Sequence, residues 1–133
     1  MKYILMAISV LFLNYGQSQI NWQKTTNWRL YRITGKALFS ISVDSLTLTN
    51  SYPLRLDSIL DFLVSVNPLP ADEGPAWMGG AVATCMYNGK IRKILISSYG
   101  GFFYDQGSAT FFQLPAQMKH GWLEYINRCL STL

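Results

Sequence analysis

The dipeptide Asn88-Gly89 lies between two apolar-rich runs of matched length, Ala81 to Tyr87 and Lys90 to Ser98, and constrains the fold more than any other feature. Asn-Gly supplies the two positive backbone angles that a two-residue hairpin turn demands, so the spacing predicts a long antiparallel hairpin. The rest of the chain must then add strands to it or cover its apolar faces.

Both kinds of segment can be read. Trp28 to Ile33 and Ala37 to Val43 look like strands joined by Thr34-Gly35-Lys36. In the second, Ala37, Phe39, Ile41 and Val43 alternate with Ser40, Ser42 and Asp44, the pattern of a sheet with one buried face. Leu46 and Leu48 extend this toward a third short strand, ended by Pro53. After the hairpin, Phe102 to Tyr104 and Thr110 to Leu114 form another pair across Asp105-Gln106-Gly107-Ser108.

Two helices complete the set. Leu56, Ile59, Leu60, Leu63 and Val66 recur at helical spacing, with Asp57 or Ser58 as cap and Asn67-Pro68 as stop. Near the carboxyl end, Met118, Trp122, Tyr125, Ile126, Cys129, Leu130 and Leu133 share one stripe, and Pro115 suits the first turn. The expected architecture is α+β: a mainly antiparallel sheet of five to seven strands with two helices on one face, the last one C-terminal. A sheet wrapped around the closing helix and a flatter two-layer sandwich both satisfy the pattern.

Met1 to Ser18 read as an export signal. Lys2 gives a positive start, Tyr3 to Leu13 an apolar run, and Gly16-Gln17-Ser18 places small residues, Gly16 and Ser18, at the two positions that matter for cleavage between Ser18 and Gln19. The run is well short of the roughly 20 residues that cross a bilayer, so no membrane span is expected after cleavage. The expected organisation is therefore a signal peptide, 1–18, and a single globular domain, 19–133, working in the periplasm or outside the cell. Export places Cys85 and Cys129 where a disulfide persists; the plain alternative is two separately buried thiols.

Charge excludes some functions. Basic residues exceed acidic ones by only four, and apart from Lys90, Arg92 and Lys93 they are scattered, so nucleic-acid binding is not expected. That triplet reads as a solvated strand edge. His120 is the single histidine and falls on the polar side of the closing helix. Ser97 or Ser98, His120 and Asp105 can be drawn as a triad, but no nucleophile-elbow glycine pattern surrounds either serine. No metal-ligand spacing or phosphate-binding glycine fingerprint occurs, so no cofactor is expected and the reading leans away from an enzyme.

The remaining peculiarity is Ser97-Ser98-Tyr99-Gly100-Gly101-Phe102-Phe103-Tyr104-Asp105. Consecutive rings on a strand cannot all face inward. Together with Trp77, in the proline- and glycine-rich stretch from Pro68 to Gly80, they define a candidate binding patch: Trp77, Tyr99, Gly100, Gly101 and Phe103. The expected function is a small exported binding or inhibitor-like protein that recognises a protein or peptide partner. A small hydrolase whose site is assembled by tertiary contacts, or a structural envelope protein, are the alternatives.

Overall fold

The computed structural model describes residues 19–33, 35, 37–70 and 80–133. The segment through Ser18 that reads as an export signal, and Trp77 with residues 71–79 around it, lie outside the described residues. The domain is α+β, with a seven-stranded antiparallel sheet and a C-terminal helix.

The hairpin forms as its sequence dictates. Strands β4 (Gly80–Tyr87) and β5 (Lys90–Ser97) pair in continuous register from Gly80↔Ser97 to Tyr87↔Lys90. Asn88 and Gly89 both hold positive φ, at 52° and 75°, which is the geometry the turn requires. On one side β4 pairs with β1 (Thr26–Tyr31), and β1 with β2 (Ser51–Leu54). On the other, β5 pairs with β6 (Phe102–Asp105), β6 with β7 (Thr110–Gln113), and β7 with the two-residue β3 (Asn67–Pro68). The hairpin therefore forms the middle of the sheet.

A mid-sheet hairpin must bury both faces. The inner face carries Trp28, Leu30, Ala81, Ala83, Ile94, Ile96, Phe103 and Phe112 in one core. Two helices cover it: Leu56–Ser65, through Ile59 and Leu63, and Ala116–Leu130, through Trp122, Ile126 and Cys129. Trp122 lies between Phe62 and Phe103, with ring centroids 5.1 and 4.8 Å away. The first helix begins at Leu56 behind an Arg55 that makes no side-chain cap bond, so Asp57 and Ser58 are not the caps expected of them. Asp57 instead sits in the first turn, where its charge complements the helix dipole, and pairs with Arg55 at 2.9 Å.

The outer face is covered by a segment expected to be strand. Ala37–Ser40 forms α1 and Val43–Leu46 forms α2; with these, the two longer helices are α3 (Leu56–Ser65) and α4 (Ala116–Leu130). Leu38 and Leu46 bury against Tyr31, Val82 and Leu95, while Phe39 and Leu48 are exposed. Ser42 caps α2 by accepting from Ser45 N–H at 3.1 Å. Over seven residues a period of two did not discriminate, and the apolar outer face of the hairpin selected single helical turns instead.

The basic triplet also departs from expectation. β5 is an interior strand, so Arg92 and Lys93 are 3% and 6% exposed, on opposite faces, and only Lys90 reaches solvent. Arg92 faces inward and pairs with Asp105, whose side chain is fully enclosed, at 2.5 Å. Lys93 faces outward and donates to the carbonyls of Phe39 and Ile41, at 3.3 and 2.8 Å, beside α1. Arg92→Met is expected to cost about 3–5 kcal/mol, because it strands the Asp105 carboxylate in the core. Adding Asp105→Leu should restore most of that loss, as urea denaturation of both variants will measure.

Candidate functional site

The predicted patch is built around a tight bend between β5 and β6. Gly100 and Gly101 follow Tyr99 with φ of 75° and 68°, angles that side-chain-bearing residues rarely hold. A side chain at Gly101 would also meet Lys119 at 2.9 Å and Leu114 at 3.3 Å. The bend therefore depends on its glycines, and it leaves Tyr99 65% exposed.

Beyond the bend the rings separate by parity. Phe103 points inward, is 1% exposed, and packs on Trp122, so it belongs to the core and not to the accessible patch. Its inward direction follows from pairing with Ile96 and Phe112, both inner-face residues. Phe102 and Tyr104 point the other way and are partly exposed. Tyr104 stacks on Phe111 of β7, its cross-strand partner, with centroids 4.4 Å apart. Of the sequence-derived patch, the structure thus keeps Tyr99 outside with its glycine pair and moves Phe103 inside. Tyr104 and Phe111, which the sequence reading had not singled out as anchors, take its place. Strand alternation from Phe103 across to β7 was the available signal.

The candidate catalytic groups do not converge. His120 is exposed on α4 and contacts Glu124 at 3.2 Å, one helical turn on. Asp105 has both oxygens engaged: Oδ1 accepts from Gly107 N–H at 3.0 Å and Oδ2 from Ser108 at 2.7 Å, besides the contact with Arg92. This carboxylate ties a strand end to its turn and to a buried guanidinium, which is a structural task. Ser97 is buried and its hydroxyl accepts from Tyr99 N–H at 3.2 Å. Among the described residues, no group of three His, Cys, Asp or Glu side chains could hold a metal ion.

Cys85 and Cys129 are both buried free thiols, so the disulfide option is corrected. Ile126 and Leu130, which flank Cys129, lie over Gly80, Ala81 and Ile96. Burial pushes the Cys85 thiol from 9.0 up to about 12, with Asp105 adding to the rise and Arg92 opposing it. Such a thiol is a poor nucleophile at neutral pH.

The folded chain keeps the Cys85 proton to about pH 12 while an unfolded chain releases it near 9.0. The stability this contributes is whole below pH 9.0 and declines as pH rises toward 12. Cys85→Ala is expected to flatten the alkaline fall in stability followed by urea denaturation, and iodoacetamide at pH 8 should label wild-type Cys85 only in denaturant.

No helix among the described residues is long and apolar enough to cross a membrane. Comparison with protein-family models, with curated proteins and with solved structures finds no match to this chain.

Proposed function

We propose that the chain is a small exported binding protein, inhibitor-like and without catalysis, which holds a protein or peptide partner on an aromatic surface. That surface runs from Tyr99 across Phe102 and Tyr104 to Phe111. The observation that carries the reading is Tyr99, a large ring 65% exposed on a bend fixed by two left-handed glycines. Rigid aromatic anchors of this kind supply much of the energy of protein recognition at low entropic cost.

The sheet borders favour recognition by side chains over recognition by strand addition. β2 carries Pro53 and β3 carries Pro68, so each border strand includes a residue without an N–H to offer. The positive start and apolar run of Met1 to Ser18 support export to the periplasm or cell exterior.

Selection of displayed random peptides against the protein tests the surface. Tyr99→Ala and Tyr104→Ala should each weaken the selected binders at least about tenfold while Tyr99→Ala leaves the melting temperature unchanged. Binders indifferent to both changes would sink the proposal. Amino-terminal sequencing of protein secreted by its own host should begin at Gln19, and a retained Met1 on exported material would refute cleavage at that point.

A further inference from the structure

A second constellation lies on the outer face of the sheet, away from the bend at Tyr99. Between α2 and strands β1 and β4 a recess of about 90 Å³ is lined by Asn27, Arg29, Tyr31, Thr47 and Thr84, with Met86 at its wall. That volume admits several waters or one small ion. A bulge creates the recess. Thr26 pairs with Met86 and Arg29 with Thr84, so β1 uses one more residue than β4 over this stretch, and Asn27 takes a φ of 52°. Bulges re-aim side chains and are frequent beside functional sites.

Val43, Cys85 and Ile91 complete the lining, and its polar side chains include Arg29 and no carboxylate. Arg29 commits its Nε to Ser51 Oγ at 2.6 Å and forms no ion pair among the described residues, so its terminal nitrogens keep their donors. Tyr31 is buried, and among the described residues its hydroxyl is met by a long contact with Thr84 Oγ1, at 3.5 Å, a pair in which either hydroxyl can donate. At that length the contact is weak, so the Tyr31 hydroxyl keeps hydrogen-bonding capacity toward the recess. A second cation stands close by, because Lys93 is the cross-strand partner of Thr84, as Arg29 is on the other side. The Lys93 Nζ is held by the carbonyls of Phe39 and Ile41, so it adds positive charge nearby without lining the recess.

We infer that this recess binds a small oxyanion, inorganic phosphate or a small carboxylate, through the Arg29 guanidinium and the Tyr31 hydroxyl. An anion supplies the counter-charge that Arg29 lacks among the described residues, and charge-assisted bonds of this type are the stronger class. The inference is independent of the aromatic surface. Neither Tyr99 nor Tyr104 lines the recess.

Isothermal titration with sodium phosphate, and separately with sodium acetate, at ionic strength held constant with sodium chloride, tests it. Wild type is expected to bind one of the two saturably, half-saturated at about 1 mM or below. Arg29→Gln should weaken that binding at least about tenfold and Tyr31→Phe several-fold. Arg128→Gln, which removes an exposed cation on α4, should bind as wild type does. Should Arg29→Gln not fold, Tyr31→Phe decides alone, since it removes one hydroxyl and keeps the ring. Thermal denaturation in the same buffers separates specific binding from the unsaturable stabilisation that excluded anions give any protein. No saturable heat with either anion, or saturable binding that both site variants retain in full, overturns the inference.

Discussion

A strand covered on both faces has to settle every charge it carries, and β5 carries two in succession. Alternation sends Arg92 into the inner core and Lys93 into the outer one, where an unmet charge would cost several kcal/mol. Each solution recruits a neighbouring element. Arg92 is met by Asp105, the last residue of β6, which also gathers Gly107 and Ser108 and so fixes the turn into β7. Lys93 is met by carbonyls of Phe39 and Ile41, which fastens the end of α1 to the sheet. Burial lowers the pKa of Lys93, and the two carbonyls oppose the loss of its proton by accepting from the charged form. Both layers thus depend on one pair of cations.

The two faces consequently differ in what they leave over. The inner face is closed by two full helices whose aromatic residues interlock around Trp122, and little of its chemistry reaches solvent. Among the described residues, the outer face is roofed by two single-turn helices, which cover its centre at Val82 and Leu95. Polar groups of β1 and β4 remain toward one side of that roof, and rings of β6 and β7 toward the other. Both candidate surfaces lie where the described helices stop short of the sheet margins.

Much of this was legible in the sequence because it was local. Asn88-Gly89 set the hairpin, helical periodicity placed α3 and α4, and the glycine pair after Tyr99 marked a bend. Contributions that depend on tertiary partners were not. Ala37 to Val43 alternates like a strand, and only the waiting apolar face of the hairpin makes a helical turn there the better choice. Asp105 resembles an ordinary turn residue until β6 is seen beside β5, and Arg92 resembles an edge cation until β5 is seen to be interior. Phe103 could be assigned inward only once its register against Ile96 was known. The recess at Arg29 was hidden for the same reason, since its residues come from β1 with its bulge, α2, β4 and β5.

The prolines at the two borders have a further consequence. A sheet grows when an outermost strand presents an unbroken row of amide hydrogens to a stranger, and this is how many all-antiparallel layers seed fibres. Here one border is four residues long and the other two, each interrupted by an imino acid. Among the described residues, neither border thereby offers a continuous template on which crowding at high concentration could extend the layer.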